Sequence, residues 1–221
     1  MREPLDFTED EAAEERAFFD LYGPWAPLDL DGARAFFDGF DRPWWVVGGW
    51  SVEVFTGHQR EHEDIDVSIL ACDAPAFREF VGDRWHLWSN TSGSLRPLTD
   101  RRPDIPAPDC QIWVRRNAAS PWVMDLPLTP DVDGLWLNKR MPDHVVPLEE
   151  ATWVTDDGLR VVNPEIALLY KAVVGRRKDQ RDLDRALPLL DAARRAWLHE
   201  SIARLYPGHA WLDRVGAEAG S

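Results

Sequence analysis

Apolar side chains recur with helical spacing at the start of the chain and again over its last quarter. Thr8 and Glu11 have the spacing of a capping box, and the apolar positions after them predict a helix that ends at Gly23-Pro24. The same periodicity, broken at glycine and proline, predicts further helices over Asp31–Phe40, Trp50–Phe55, Ala74–Val81, Pro164–Val173, Lys178–Leu187 and Asp191–Tyr206. Asn163 is the expected N-cap of the helix that begins at Pro164.

Short apolar or alternating runs between these helices predict β-strands. They are Trp44–Val47, Asp64–Leu70, Trp85–Trp88, Gln111–Arg115, Trp122–Leu126 and Leu135–Asn138. The stretch Ser89–Pro108 is rich in proline and is expected to be a loop. The pattern therefore predicts an α+β fold, with strands and flanking helices in residues 1–158 and a helical domain in residues 159–221, joined without a flexible linker.

Charge and cysteine content narrow the function classes. The 221 residues include 25 Lys and Arg against 39 Asp and Glu, a net charge of −14. This charge repels phosphate backbones and disfavours a general nucleic-acid binder, whereas it suits a cationic small substrate or simply solubility. Two distant cysteines exclude a disulfide framework or zinc ribbon.

The acidic start and the lack of an apolar run of about 20 residues predict a cytoplasmic protein without a membrane segment. The sequence does not indicate an oligomeric state.

Twelve tryptophans are spread through the predicted elements. Large aromatic rings favour packing in the core and in cleft walls. Stacking of some of them on the ring of a ligand is left open.

A pair of aspartates provides the first chemical signal. In a strand, residues two apart point to one face, so Asp64 and Asp66 lie side by side while Ile65 and Val67 face the core. Adjacent carboxylates repel each other unless a cation lies between them, and Mg²⁺ prefers such oxygen ligands. An exposed acidic strand edge would give the same short pattern.

The glycine pair upstream adds a second signal. A strand that ends in Gly48-Gly49 and opens into a helix leaves backbone N–H groups for an anion, and the missing side chains let phosphate oxygens approach. A tight strand-to-helix turn is the alternative for the glycines alone. Together with the paired aspartates, they indicate metal-dependent nucleotidyl transfer.

A third carboxylate is needed to close the metal cluster or to remove a proton from an attacking hydroxyl. Asp125 is the best candidate because it lies inside an apolar strand, where a charge is costly unless it is compensated. A partly exposed strand end is the alternative. Asp131 and Asp133 lie in a turn, where aspartate is expected in any case.

These motifs resemble a known superfamily. GGW at 48–50 followed by REHEDIDV at 60–67 resembles the nucleotidyltransferases of the DNA polymerase beta type. More narrowly, it is similar to the bacterial enzymes that adenylylate aminoglycosides at the 2″-hydroxyl and to their lincosamide-modifying relatives. VNPEIALLYKA at 162–172 and RKDQRDL at 177–183 resemble the carboxy-terminal helices of that group. The resemblance covers about residues 44–70 and 161–212, with Asp125 as a weaker match between them.

The resemblance implies a mixed-sheet nucleotidyltransferase domain and a set of residue roles. By position, Gly48, Gly49 and Ser51 would line the triphosphate. Asp64 and Asp66 would hold Mg²⁺, and Asp125 would be the general base at the same metal site. The implied reaction transfers AMP from ATP to a hydroxyl of a small cationic molecule such as an aminoglycoside or a lincosamide. The wider superfamily has serine directly after the glycines, where this chain has Trp50.

Basic side chains are also needed to neutralise the triphosphate. Lys171, on an otherwise apolar helix face, and Lys178, at the start of the next helix, are the candidate nucleotide contacts. For Lys178, a surface cluster paired with Asp179 and Asp182 fits equally well.

Two other function classes stay open at this point. One is a nucleotidyltransferase that acts on a protein or on RNA, like the toxin-type relatives of the superfamily, although the negative charge disfavours RNA. A nucleotide-binding module without catalysis is the other alternative, and the intact set of Asp64, Asp66 and Asp125 disfavours it.

Overall fold

The computed structural model describes residues 2–4, 7–91, 93–103, 105, 110–173 and 175–216. Its α-helices are α1 (Glu9–Tyr22), α2 (Leu30–Phe36), α3 (Gly48–Thr56), α4 (Ala74–Val81), α5 (Leu148–Ala151), α6 (Pro164–Ala172), α7 (Arg177–Ala186), α8 (Ala192–Leu205) and α9 (Trp211–Gly216). Its strands are β1 (Trp45–Val46), β2 (Val67–Leu70), β3 (His86–Thr91), β4 (Ser94–Pro97), β5 (Gln111–Arg115), β6 (Trp122–Thr129), β7 (Asp131–Val132), β8 (Leu135–Leu137), β9 (Val145–Val146), β10 (Thr152–Val154) and β11 (Arg160–Val162).

The chain divides into two compact units, each made from separate stretches of sequence. The first unit comprises Met1–Trp45 and Arg60–Val146, and the second comprises Val46–Gln59 and Pro147–Ser221. The predicted division was at 158/159, with the glycine pair in the amino-terminal part. In the structure the carboxy-terminal stretch of the second unit begins earlier because the hairpin β10–β11 belongs with it, and β11 pairs in parallel with Val46.

The first unit is built on a mixed sheet with strand order β2-β6-β5-β3-β4. Strand β2 runs parallel to β6, and the remaining neighbours are antiparallel. A small antiparallel sheet, β7-β8-β9, follows β6. The apolar side chains of β2 and β6 are buried, among them Ile65, Val67, Met124 and Leu126. The mixed sheet and its helices confirm the predicted α+β class.

The second unit is mainly helical. Helix α3 packs against α6 and α7, and α8 packs against α6 and α9. Helix α6 is buried along almost its whole length, including Ile166, Leu168 and Leu169. Asn163 occupies the expected N-cap position, but its side chain donates to Glu150 O (2.7 Å) instead of capping the helix.

Several predicted elements are confirmed in position, including the Thr8–Glu11 capping box of α1 and the bounds of α4 and β5. The proline-rich stretch Ser89–Pro108 was expected to be a loop, and this is wrong for its first half. Strand β3 continues to Thr91 and pairs with β4, which contains Pro97. Because β4 is the outer strand of the sheet, a proline without an N–H is tolerated there. Residues 92, 104 and 106–108 of this stretch lie outside the described residues.

The strand expected over Asp64–Leu70 is shorter than predicted. Regular pairing in β2 starts at Val67, with Asp66 in an isolated bridge just before it. Strand β6 is longer than predicted and continues through Pro127 to Thr129. Among the described residues, no helix has both the length and the apolar character needed to cross a membrane.

Candidate active site

Asp66 and Asp125 are partners in a parallel β-bridge. The backbone N–H of Asp125 donates to Ile65 O (3.0 Å), which fixes the two segments side by side. Partners of this kind carry their side chains on the same face of a sheet. Ile65 is fully buried, whereas Asp64 and Asp66 on either side of it are half-buried. The alternation predicted for this segment is therefore present, and all three carboxylates belong to the first unit.

Asp125 is a buried carboxylate within β6, with only 6% of its surface exposed. Its Oδ1 is buried and accepts no hydrogen bond. Burial, together with the negative charges of Asp66 and Asp64, raises the pKa of Asp125 well above its usual value. An unpaired carboxylate in an apolar strand is unfavourable for folding, and such groups are concentrated at functional sites.

Two other side chains of the first unit lower the pKa of Asp125. The charge of Lys139 lowers the pKa of Asp125, and so, to a smaller extent, does the indole N–H of Trp113. Trp113 lies opposite Asp125 in the β5–β6 pair. The indole N–H nevertheless falls short of hydrogen-bond geometry, since Nε1 has no acceptor. Both Lys139 and Trp113 therefore favour the ionised form of Asp125.

Lys139 is a residue that sequence reasoning missed. It follows Asn138, which is fully buried and held by several hydrogen bonds. The Asn138 N–H donates to His144 O (3.0 Å), its Oδ1 accepts from Arg140 N (2.9 Å), and its Nδ2 contacts His144 Nδ1 (3.3 Å). The turn that carries Lys139 is thus tightly held. No sequence motif marks it, because its electrostatic effect on Asp125 depends on the path of the chain after β8.

The donor atoms of this site suit a hard dication, since three carboxylates are available and one of them, Asp125, has a buried oxygen without a partner. The three side chains do not, however, converge on one metal position. Within the part of the chain that the structure describes, no three His, Cys, Asp or Glu side chains are close enough to hold a metal ion together. The site is therefore assembled by the backbone, and the metal-ligand roles of Asp64, Asp66 and Asp125 stay predictions.

In the second unit, helix α3 begins at the glycine pair, two residues before the predicted start at Trp50. Val47, whose side chain carries no acceptor, is the N-cap residue, and the helix begins at Gly48. Gly48 has φ of 63°, a conformation in which a side chain would be strained. Gly57 ends the helix in the left-handed conformation. The first N–H groups of this helix therefore lack a side-chain cap from the N-cap residue.

Ser51 was predicted to line a triphosphate, but the structure gives it a role inside its own helix. It is 1% exposed, and its hydroxyl donates to Gly48 O (2.8 Å). Its proton is therefore already engaged, as expected for a serine that bonds back to the preceding turn. Contact of its hydroxyl with phosphate stays an untested prediction, and nothing in the second unit's geometry favours it.

Lys171, predicted as a nucleotide contact, lies in a buried ionic network of the second unit. Its ammonium group contacts Asp179 (3.2 Å) and Asp182 (2.9 Å), and all three side chains are less than 10% exposed. Arg176 also donates to Asp179 (2.9 Å). Burial alone would raise the pKa of Asp179, but the hydrogen bonds of Arg176 and the charge of Lys171 hold it below its usual value. This network accounts for Lys171 without a nucleotide.

Lys178 lies near the start of α7 and is half-buried. Asp179 and Asp182, its expected partners in a surface cluster, are instead buried against Lys171. Its role as a nucleotide contact stays a prediction.

Comparison with known proteins gives a family match over part of the chain. A family model described as aminoglycoside-2″-adenylyltransferase matches residues 30–84. The chain resembles the aminoglycoside nucleotidyltransferases. The matched segment contains both glycines and the Asp64–Asp66 pair, and it ends before Asp125. The match confirms the resemblance inferred from the GGW and REHEDIDV motifs and supports an adenylyltransferase enzyme.

One solved structure extends the similarity in fold beyond that segment. The solution structure of the antibiotic-resistance factor ANT(2″)-Ia has a TM-score of 0.51 and 14% identity, covering 82% of this chain and 91% of that one. At this identity the similarity shows the fold. A crystal structure of ANT(2″)-Ia in complex with adenylyl-2″-tobramycin has a TM-score of 0.40 and 11% identity, over 82% and 89% of the two chains. No sequence among the curated proteins matches the chain.

Proposed function

We propose that this protein transfers AMP from ATP, with Mg²⁺, to a hydroxyl of an aminoglycoside-like molecule. The observation that carries the proposal is the position of Asp125, buried in β6 and in register with Asp66. The match of the aminoglycoside-2″-adenylyltransferase model to residues 30–84 supports the same reaction class.

Asp125 is proposed as the general base. Burial and like charges raise the pKa of Asp125, and a higher pKa makes its carboxylate a stronger base. A catalytic base works best when its pKa lies near the working pH. The acceptor hydroxyl gives its proton to Asp125 while its oxygen bonds to the α-phosphorus, and the bond from that phosphorus to pyrophosphate breaks.

Asp64 and Asp66 are proposed as the principal ligands of Mg²⁺, with Asp125 beside them. When bound, the dication supplies neutralisation of the triphosphate charge. The three carboxylates supply the hard oxygen ligands that Mg²⁺ prefers, and their mutual repulsion is relieved when a cation lies among them.

The nucleotide phosphates are proposed to contact the backbone N–H groups of Gly48 and Gly49 at the start of α3. A helix N-terminus favours anions, and glycine allows close approach. We add Lys139 as a candidate phosphate contact, because its charge already acts at Asp125. Ser51 and Lys171 are the least supported of the predicted contacts, since each has a partner within the second unit.

The acceptor is proposed to be cationic. The net charge of −14 attracts a polyamine sugar by long-range electrostatics, and this attraction weakens as salt is added. An aminoglycoside fits this charge and carries the hydroxyls that the reaction requires, and the family match favours it over a lincosamide.

The test is a screen of purified protein with ATP and Mg²⁺ against aminoglycosides and lincosamides, read by pyrophosphate release and by mass spectrometry of the acceptor. We expect release that depends on an aminoglycoside, which gains the mass of one AMP group. ATP binding by calorimetry without release for any acceptor would instead indicate a non-catalytic module. Release only with added protein or RNA would indicate the toxin-type reaction.

A further inference from the structure

Two buried polar atoms without partners lie in one cross-strand pair of the first unit. Trp113 in β5 and Asp125 in β6 are register partners in the antiparallel pair. The Trp113 indole Nε1 and the Asp125 carboxylate Oδ1 are both buried and make no hydrogen bond. The indole can only donate and the ionised carboxylate can only accept, so each atom is chemically suited to the other.

Such atoms are few in native proteins, because burying a polar group without a partner costs about 1–3 kcal/mol. When they occur, a catalytic role is one of the recognised causes. A donor and an acceptor left unsatisfied opposite each other, at the proposed catalytic base, therefore point to each other as hydrogen-bond partners in solution.

The Trp113 ring is held in place by other aromatic rings. Its centroid lies 5.7 Å from Phe18, 6.0 Å from Tyr22, 5.2 Å from Trp25 and 5.3 Å from Trp122. Three of these contacts are close to edge-on, a favourable geometry for aromatic pairs. A side chain packed on several sides keeps one rotamer, which fixes the direction of its N–H.

We propose that Trp113 is a positioning residue for Asp125: its indole N–H donates to Oδ1 and directs Oδ2 toward the acceptor hydroxyl. This inference rests on the proposed function, since it gives the two oxygens of the general base different tasks. Oδ2 receives the proton of the hydroxyl as the new oxygen–phosphorus bond forms. Trp113 neither gives nor takes a proton, and acts through the orientation of Asp125.

The kinetic test compares Trp113→Phe with Trp25→Phe. Both variants shorten a ring in the same aromatic cluster, but only the first removes the N–H opposite Asp125. We expect Trp113→Phe to lower kcat by about 10- to 100-fold with KM for ATP changed by less than about twofold, because a misplaced catalytic group costs this much in rate. Trp25→Phe should keep kcat within about threefold of wild type, since it lacks that contact. Equal losses of kcat in the two variants, or an unchanged kcat in Trp113→Phe, would overturn the proposal.

A second measurement needs no activity. The indole N–H signal of Trp113 is assigned by NMR from its contacts with ring protons of Phe18 and Trp25, and is compared between wild type and Asp125→Ala. We expect that signal to move further than the signal of Trp25, because its acceptor has been removed. A Trp113 signal that does not move would reject the pairing even if the enzyme is active. Wild-type protein that modifies no acceptor would reject the proposed function, while the indole signal would still decide the pairing.

Discussion

Asp66 and Asp125 lie side by side because they are partners across a parallel bridge, although they are far apart in the sequence. The bridge continues the parallel pairing of β2 with β6, in which Ile69 is in register with Leu128. The spacing of the two carboxylates is therefore set by the core of the first unit. A one-residue shift of either strand would turn one of them to the opposite face.

Asp125→Asn is expected to lower activity and raise stability at the same time. A missing general base costs about 10²- to 10⁴-fold in kcat. Burial and the charges of Asp66 and Asp64 raise the pKa of Asp125 above its ordinary value of 3.8. Below pH 3.8 the group is protonated in both folded and unfolded chains. As the pH rises above 3.8, the unfolded chain ionises first, so this group increasingly destabilises the folded state until its folded pKa is passed.

Urea unfolding of wild type and Asp125→Asn at pH 5 and pH 8 measures this effect. The free energy of unfolding of the variant should exceed that of wild type by an amount on the order of 1 kcal/mol at pH 8, and by less at pH 5. An advantage that shrinks as the pH rises would show that the carboxylate is not destabilised by burial. Asp133→Asn, in an exposed turn, is the control and should change stability at neither pH.

Lys171→Met is expected to destabilise the protein strongly, because it removes the cation that Asp179 and Asp182 share in a buried site. Breaking a buried ion pair in this way costs about 3–5 kcal/mol. Lys178→Met, at a half-buried position in the next helix, is the matched control and should cost less than about 1 kcal/mol. Thermal unfolding compares the two variants. A Lys171→Met protein as stable as wild type, with a raised KM for ATP, would restore Lys171 as a nucleotide contact.

Asp179 should lose its contribution to stability in acid. Despite burial, the hydrogen bonds of Arg176 and the charge of Lys171 lower the pKa of Asp179 below 3.8. Its contribution is therefore complete above pH 3.8 and is lost as the pH falls through the folded pKa. Asp179→Asn should be less stable than wild type by about 3 kcal/mol at pH 6, with a smaller difference at pH 3. Asp184→Asn, an exposed position on the same helix, should cost less than about 1 kcal/mol at both pH values when the series is followed by thermal unfolding. A constant difference for Asp179 would contradict the pKa shift.

The sequence predicted the elements whose signals are local. The Thr8–Glu11 capping box depends on residues a few positions apart, and the structure has it. A helix directly after the glycine pair was also predicted, although α3 begins at Gly48 and not at the predicted Trp50. Asp64, Asp66 and Asp125 could also be proposed as one group, because alternating positions and a charge inside an apolar strand can be recognised in the sequence. Strand β4 was missed because the prolines of the stretch around it favour a loop, and only the outer place of β4 in the sheet makes its one proline, Pro97, tolerable.

Residues whose role depends on distant partners could not be assigned in the same way. Lys171 has the spacing of a helix-face residue, and nothing local shows that Asp179 and Asp182 turn inward to meet it. Lys139 lies in a turn after β8 and carries no motif, yet its charge acts on Asp125. In both cases the tertiary fold, and not the local sequence, determines which residue the lysine acts on.

The most direct test of the account is pyrophosphate release by Asp66→Asn and Asp133→Asn with ATP, Mg²⁺ and the best aminoglycoside of the screen. Asp66 is the register partner of Asp125, whereas Asp133 is an exposed turn residue of the same unit. We predict that Asp66→Asn folds with the wild-type circular dichroism spectrum and loses turnover by about 10³-fold or more, because a charged ligand of the metal site is gone. Asp133→Asn should retain wild-type turnover. A folded Asp66→Asn protein that releases pyrophosphate at the wild-type rate would contradict the assignment of these carboxylates as the catalytic centre.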